Sequence, residues 1–117
     1  MPTFQRVKTP FSYSAAVVAE DTAYLGLHRG SGGSLAEQLR WTFDGFTGTL
    51  DEIGLTTANL VKVTVWLKNI ADLPEMENLF REFFPDGEFP ERMTATTEFI
   101  EADCLLMIEG IACRRAE

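Results

Sequence analysis

The stretch NLVKVTVWL, from Asn59 to Leu67, places apolar residues at alternate positions. Side chains in a β-strand point to opposite faces with a period of two, so this alternation predicts a strand. Val61, Val63, Val65 and Leu67 are expected to share one face of it. The elements that precede and follow this strand decide how its two faces are covered, and with them the fold class.

A helix is predicted on the N-terminal side of this strand. Ser34 and Glu37 have the spacing of a capping box at its start, and Gly54 can supply a left-handed residue at its end. Between these points apolar residues recur at intervals of three and four, which places them on one helix face. They are Leu35, Leu39, Phe43, Phe46, Leu50 and Ile53.

A second helix is predicted after the strand. Asp72 and Glu75 repeat the capping-box spacing, Pro74 is tolerated in the first turn, and the helix stops before Pro85. Three further segments have strand character. They are a hairpin in SAAVVAEDTAYLGL at 14–27, and single strands in MTATTEF at 93–99 and CLLMIEGIAC at 104–113.

The predicted order is therefore a hairpin, a helix, a strand, a helix and two strands, in a single domain that spans residues 1–117. Each helix has one apolar stripe to bury, so the predicted fold is α+β, a single mixed β-sheet with the two helices packed on one face. The other face, with residues such as Leu60, Thr64 and Trp66, needs cover that self-association would supply.

The composition argues against several classes of protein. Ten basic residues against eighteen acidic ones give a net charge of −8, and the only short basic cluster is Arg114 and Arg115, so nucleic-acid binding is disfavoured. No run approaches the length of a membrane-spanning helix, and the N-terminus MPTFQRVKTP lacks the pattern of a signal peptide, which predicts a cytoplasmic protein. With His28 as the only histidine and no local Cys/His cluster, no structural metal is expected.

The two cysteines, Cys104 and Cys113, both lie in the last predicted strand. They are an odd number of positions apart and would face opposite sides, so they could not pair within that strand. We expect both to be reduced, buried thiols.

Two charged residues near the last two strands are candidates for chemistry. Arg92, in FPERMTATTEF, is either a solvated surface charge or a ligand-binding group at the mouth of a strand. Glu109 interrupts the apolar run CLLMIEGIAC, so it is either at an exposed sheet surface or partly desolvated and suited to proton transfer. Adjacent strands could place the two at the same end of a cleft, one to hold an anionic substrate and one to handle a proton or water.

Three segments together resemble the Rid/YjgF family of reactive-intermediate deaminases, also labelled endoribonuclease L-PSP. They are DTAYLGL, the run from Leu50 to Phe99 that contains VKVTVWL and FPER, and the ending LLMIEGIACRR. The resemblance covers roughly Ser12 to Arg115, and the order of VKVTVWL, FPER and IEGIA is specific. It implies a chorismate mutase-like fold, a homotrimer, and active sites in the clefts between subunits.

The resemblance also implies roles for individual residues. Arg92, in PER where the family has P-x-R, would grip the substrate carboxylate. Glu109, in EGIA where the family has E-A-I-A, would position or activate water. The family's tyrosine falls on Tyr13 in an ungapped alignment, which also matches the hairpin, and on Phe11 in the alternative alignment.

The chain departs from the family pattern near the implied cleft. GLHRG replaces the family's SGQIP, which removes a serine and brings His28 near the rim. Glu77 aligns with the family's asparagine in the second helix, and an extra carboxylate there would disfavour a dianionic substrate and favour a cationic group such as an iminium. We assign His28, Glu77 and Thr94 to substrate binding.

The implied activity is hydrolytic deamination of small 2-imino or enamine carboxylic acids, such as 2-iminopropanoate, to 2-oxo acids and ammonia, without a metal or organic cofactor. A trimeric module that binds a small carboxylate without turning it over is the alternative, favoured if Glu109 is salt-bridged and inert. Ribonuclease activity, which the family label suggests, is disfavoured by the net charge of −8 and the lone His28.

Overall fold

The computed structural model describes residues 4–114, in which one mixed sheet of six strands is covered on one face by two helices, confirming the predicted α+β class. The strands are β1 Gln5–Lys8, β2 Ser14–Ala19, β3 Thr22–His28, β4 Leu60–Leu67, β5 Glu91–Thr96 and β6 Leu106–Cys113, and the helices are α1 Leu35–Glu52 and α2 Leu73–Phe80. The strand order is β1-β2-β3-β6-β4-β5, with β4 and β5 parallel and each other neighbouring pair antiparallel. Arg115 of the predicted basic cluster lies outside the described residues.

Among the described strands, β1 is the one that the sequence pattern does not predict. Of its four residues only Val7 is buried, so the segment carries no alternating apolar signal. Antiparallel pairing with β2 places it at the edge of the sheet.

The first helix, α1, agrees with its prediction. Ser34 Oγ accepts a hydrogen bond from the Glu37 N–H at 3.2 Å, while the Glu37 carboxylate accepts from the Gly33 N–H rather than from that of Ser34. Gly54 has a φ of 77°, the left-handed conformation expected after the helix. All six apolar residues predicted for one face are buried in the core.

The second helix, α2, begins without the predicted capping box. Asp72 has helical backbone angles and its side chain makes no capping hydrogen bond. Pro74 lies in the first turn as predicted, and a single 3-10 turn at Arg81–Phe83 ends the helical segment before Pro85.

Phenylalanine rings hold α2 and the turn after it against α1. Phe43 of α1 stacks on Phe83 with ring centroids 4.1 Å apart. It also meets Phe80 and Phe84 edge-on at 5.6 and 5.8 Å. None of the helices formed by residues 4–114 is long and apolar enough to cross a membrane.

A β-bulge in β4 changes which side chains face the helices. Leu60 and Lys62 pair with consecutive residues of β6, so Val61 is an extra residue in the ladder. Leu60 is therefore buried and Val61 is 49% exposed, the reverse of the predicted arrangement. From Val63 to Leu67 the predicted alternation is confirmed.

A second bulge in β3 exchanges the faces of two side chains. Leu25 pairs with Gly110 and His28 pairs with Ile108, so β3 contains one extra residue between these pairs. A one-residue shift moves the following side chains to the other face. Leu27 is therefore exposed on the open face, the sheet face without helices, and His28 points toward α1.

The two cysteines are both free thiols, as predicted. Cys104 precedes β6 and is buried, and this burial raises the pKa of its thiol. Cys113 is only half-buried at the end of β6, so the prediction that both are buried is wrong for that residue.

Candidate active site

Arg92 and Glu109 lie on opposite faces of the sheet. Their strands are separated by β4, in which Val63 pairs with both Arg92 and Gly110 and the next residue, Thr64, pairs with Glu109. Paired residues on neighbouring strands point to the same face, so Arg92 shares the helix-covered face with the buried Val63. Glu109 shares the open face with Thr64. The prediction that adjacent strands bring the arginine and the carboxylate to one cleft is therefore wrong within a single chain.

Glu109 lines a cavity of about 680 Å³ on the open face, the open-face cavity. Its Oε2 accepts a hydrogen bond of 2.7 Å from Trp66 Nε1. Tyr13 lines the same cavity and is 62% exposed. The remaining lining residues are Leu27, Thr97, Glu98, Phe99, Ile100, Glu101 and Met107.

The turn before β2 presents Tyr13 to this cavity. Thr9 Oγ1 donates a hydrogen bond of 2.6 Å to the Tyr13 carbonyl and accepts one of 3.2 Å from the Phe11 N–H. Phe11 stacks beside Tyr13 with ring centroids 6.0 Å apart, yet it does not line the cavity. The structure thus places the hydroxyl-bearing side chain, rather than Phe11, in the cavity of Glu109.

Gly110 allows the close packing that positions Glu109. A Cβ at residue 110 would lie 2.8 Å from the Lys62 carbonyl oxygen and 3.2 Å from Phe46 Cζ, so no larger residue fits without displacement. Close approach of β4 and α1 therefore holds the backbone of β6 at this point. The adjacent Glu109 is directed away from that contact, to the open face.

The loop at 97–105 forms one wall of the open-face cavity. The predicted strand 93–99 ends at Thr96, so residues up to Phe99 belong to this wall. Gln38, buried in α1, accepts a hydrogen bond from the Leu105 N–H at 2.8 Å and donates to the Asp103 carbonyl at 2.9 Å. This wall was not predicted from the sequence. A polar residue on the apolar face of a predicted helix was the available signal, because buried polar groups need partners.

Charged residues secure the same loop from outside. Arg29 pairs with Asp103 at 3.0 Å and with Glu101. Lys68 donates a hydrogen bond of 2.6 Å to the Ala102 carbonyl. The wall is therefore tied to α1 and to the residues that directly follow β3 and β4.

Arg92 lines a separate pocket of about 230 Å³ between α2 and the start of β5, the arginine pocket. Its guanidinium is 4.9 Å from the centroid of the Phe80 ring and pairs with the Glu77 carboxylate. Because the Arg92 side chain is only 24% exposed, a freely solvated charge is the wrong description of it. Phe89 and Pro90 complete the lining with Arg81.

Glu77 bridges two guanidinium groups. Its Oε1 pairs with Arg92, and its Oε2 lies 3.5 Å from Nη2 of Arg81. The hydrogen bond from Arg92 lowers the pKa of Glu77, so the carboxylate is ionised at neutral pH. Arg81 is not among the predicted site residues, although its i,i+4 spacing from Glu77 is visible in the sequence.

Thr94 lies on the same face of β5 as Arg92, since the two pair with Val65 and Val63 of β4. It is half-buried and does not line the arginine pocket. Thr94 is therefore a neighbour of the pocket rather than part of its surface.

His28 lines neither the open-face cavity nor the arginine pocket. Its Nε2 is 2.8 Å from Thr49 Oγ1 and its Nδ1 is 2.7 Å from the Gly26 carbonyl oxygen. Phe46 contacts the ring edge-on, with centroids 4.8 Å apart. Burial lowers the pKa of His28, so the imidazole is neutral at pH 7. The structure thus places His28 under α1 instead of at the rim of a cleft.

Trp66 is likewise not among the predicted site residues. Its place on the open face follows from the alternation in β4, but its hydrogen bond to Glu109 depends on the register between β4 and β6. Within residues 4–114, no group of three or more His, Cys, Asp or Glu side chains could hold a metal ion.

The sequence of the chain is similar to proteins of one family. A family model described as endoribonuclease L-PSP matches residues 3–114. A RutC family protein from Pyrococcus abyssi is 30% identical over 80 residues, which are 68% of this chain and 62% of that protein. An Escherichia coli protein named 2-iminobutanoate/2-iminopropanoate deaminase is 29% identical over 83 residues, which are 69% of this chain and 65% of that protein. These matches span just under two thirds of the length of each relative.

The fold comparison agrees. The crystal structure of a YjgF family member from Neisseria meningitidis matches with a TM-score of 0.92 and 22% identity, and the match covers 98% of each chain. The family model spans nearly all of the chain, and the fold matches as well. The chain belongs to the endoribonuclease L-PSP family, the family of the YjgF and RutC proteins.

Proposed function

We propose that the protein hydrolyses small 2-imino or enamine carboxylic acids, such as 2-iminopropanoate, to 2-oxo acids and ammonia. The observation that carries this proposal is the division of the site into an arginine pocket and an open-face cavity with a carboxylate, at the two positions implied by the family resemblance. The deaminase names of relatives at 25–29% identity support the same class of reaction.

One substrate can meet both Arg92 and Glu109 only if two copies of the chain contribute, because the sheet separates the two side chains. The open face has apolar surface for such an association, since Tyr24, Leu27 and Met93 are each more than half exposed. We place the site where the arginine pocket of one subunit meets the open-face cavity of the next, in a homotrimer.

The reaction then divides between the two cavities. Arg92 binds the substrate carboxylate through parallel hydrogen bonds and fixes the C=N carbon beside Glu109. Glu109 orients a water molecule, which attacks the carbon of the protonated imine while the carboxylate takes its proton. The product of this step is a neutral carbinolamine that carries one hydroxyl and one amino group.

Glu109 next returns the proton to the amino nitrogen. The C–N bond breaks with its electron pair on nitrogen, the C=O bond forms, and the hydroxyl proton passes to the departing ammonia. The products are a 2-oxo acid and ammonium. Trp66 Nε1 holds one oxygen of Glu109, so the other oxygen is directed to the water, and Tyr13 can donate a hydrogen bond to the developing oxygen.

The alternative, a carboxylate-binding module without turnover, is favoured if Glu109 is salt-bridged and inert. Among residues 4–114 no basic side chain pairs with Glu109. The neutral indole N–H of Trp66 donates a hydrogen bond to it. The condition that favours the alternative is therefore not met among the described residues of one chain. Ribonuclease activity is disfavoured because the open-face cavity brings together Glu98, Glu101 and Glu109, which would repel a phosphate backbone.

The test uses two inactive variants together. Arg92→Ala and Glu109→Gln are assayed separately and after mixed refolding, by ammonia release from 2-iminopropanoate generated in situ from alanine by an amino-acid oxidase. In randomly mixed assemblies about a quarter of the sites combine an intact Arg92 with an intact Glu109, so activity should return to about that fraction of wild type. No ammonia release above the spontaneous rate by wild type would contradict the activity, and no recovery on mixing would contradict the shared site.

A further inference from the structure

The arginine pocket already contains a carboxylate. Glu77 pairs with Arg92 through Oε1 and lies 3.5 Å from Arg81 through Oε2. The two guanidinium groups also lie over aromatic rings, Arg92 over Phe80 at 4.9 Å and Arg81 over Phe89 at 5.7 Å. An anion that enters this pocket therefore meets an arginine that is occupied, with a second arginine beside it.

We propose that Glu77 is the specificity-determining residue of the arginine pocket, and that a substrate carboxylate displaces it from Arg92 toward Arg81. This inference rests on the proposed function for the identity of the incoming carboxylate. Glu77 is 39% exposed and belongs to a helix, so its side chain can change rotamer without rearranging the core. Arg81 is 58% exposed on the next turn of the helical segment and is free to follow.

The exchange conserves ion pairs. Before binding, Glu77 neutralises Arg92 and also lies near Arg81. After binding, the substrate carboxylate pairs with Arg92 and Glu77 pairs with Arg81 alone, so the pocket holds two carboxylates and two guanidinium groups. Glu77 has a guanidinium partner both before and after substrate binds. It therefore weakens substrate binding less than a carboxylate left unpaired in the bound state would.

The same arrangement sets the class of substrate. With one carboxylate bound, the positive charges of the pocket are matched, so a second carboxylate on the substrate would be repelled by Glu77. A neutral or cationic side chain on the substrate would not be repelled by Glu77. The pocket therefore selects 2-imino acids with neutral or basic side chains and rejects those with acidic ones.

The experiment measures binding of stable 2-oxo acids, which carry the same carboxylate, by calorimetry on the full chain. Glu77→Gln should tighten pyruvate binding about five- to tenfold, because Arg92 loses its internal partner. The same substitution should increase the affinity for 2-oxoglutarate about threefold more than the affinity for pyruvate. The affinity for 2-oxo-5-guanidinopentanoate should increase least. Glu75→Gln, which removes the same charge from an exposed position of the same helix, is the matched control and should change each affinity less than about twofold.

A double-mutant cycle tests the role of Arg81. Arg81→Gln alone should weaken pyruvate binding about two- to fivefold, because the displaced Glu77 then has no second partner. In the Glu77→Gln background the same substitution should have a smaller effect. Equal effects of Arg81→Gln in both backgrounds would show that Arg81 does not pair with the displaced Glu77.

Two outcomes would overturn the assignment of Glu77. One is an unchanged ratio of pyruvate to 2-oxoglutarate affinity in Glu77→Gln, with Glu77→Asn as a second variant if the first is destabilised. The other is no binding of pyruvate to wild type or to Glu77→Gln at about 10 mM, since a freed Arg92 should then bind it. Failure of the wild type to hydrolyse imines, with the expected binding shifts intact, would contradict the proposed function but not the role of Glu77.

Discussion

The open-face cavity and the arginine pocket hold their carboxylates in opposite ways. In the cavity of about 680 Å³, Glu109 is held by a neutral indole N–H, and none of its described lining residues is basic. In the pocket of about 230 Å³, Glu77 lies between two guanidinium groups. A neutral donor orients a carboxylate but does not compensate its negative charge, whereas a guanidinium does both. The first cavity is therefore suited to moving a proton and the second to holding an anion.

Glu109→Gln should show the largest effect if the open-face cavity carries the acid-base chemistry. Gln has the same shape and can still accept the Trp66 hydrogen bond, but it cannot take a proton, so kcat for imine hydrolysis should fall by about a hundred- to ten-thousandfold. KM should change little. The matched control is Glu98→Gln in the same cavity, and a comparable loss there would mean that net negative charge, rather than Glu109, matters.

Arg92→Lys should be the next largest effect, and it tests the arginine pocket. Lysine keeps the charge but loses the planar fork that matches a carboxylate, so kcat/KM should fall about ten- to a hundredfold, and further in Arg92→Ala. The comparison is made at matched thermal stability. Arg40→Lys, an exposed arginine of α1, should have no effect. Wild-type rates in Arg92→Lys would leave Arg92 as no more than a structural partner of Glu77.

Trp66→Phe should show a smaller loss that separates orientation from chemistry. Phenylalanine keeps an aromatic ring at this position and removes the N–H that holds Glu109, so kcat should fall about two- to tenfold with KM unchanged. Trp41→Phe, at the other tryptophan of the chain, is the control because Trp41 is 57% exposed in α1. A change confined to KM would place Trp66 in substrate contact instead.

His28→Gln should leave activity unchanged, because His28 lines neither cavity. Its effect should be on stability against pH. Burial lowers the pKa of His28 below its ordinary value of about 6.5, so below about pH 6.5 the unfolded chain binds a proton that the native chain does not, and stability falls as pH falls. With one histidine in the chain, His28→Gln should flatten that slope in urea unfolding below about pH 6.5. An identical slope in the variant would contradict the assignment, and the ring proton signal of His28 titrating at or above 6.5 would do so independently.

Most of the architecture follows from local patterns. The three- and four-residue recurrence from Leu35 to Ile53 names the buried face of α1, and the alternation after Val63 names the buried face of β4. Both patterns report which side of an element is apolar, and that depends on neighbours within one or two turns. The motifs PER and EGIA likewise single out Arg92 and Glu109 as candidate site residues from local sequence alone.

The local patterns could not decide how the strands pair with one another or which residues the helices contact. The extra residues in β3 and β4 are defined only by their pairing with β6, and they move His28 and Leu60 to the helix side. The insertion of β4 between β5 and β6 separates Arg92 from Glu109, and the packing of α2 places Glu77 on Arg92. The sequence by itself determined the two helices, five of the six strands and most of their buried faces, and it named Arg92 and Glu109 as candidates. Only the tertiary structure decided that these residues lie on opposite sides of the sheet, because strand order and register come from contacts between residues far apart in the chain, which no short-range periodicity encodes.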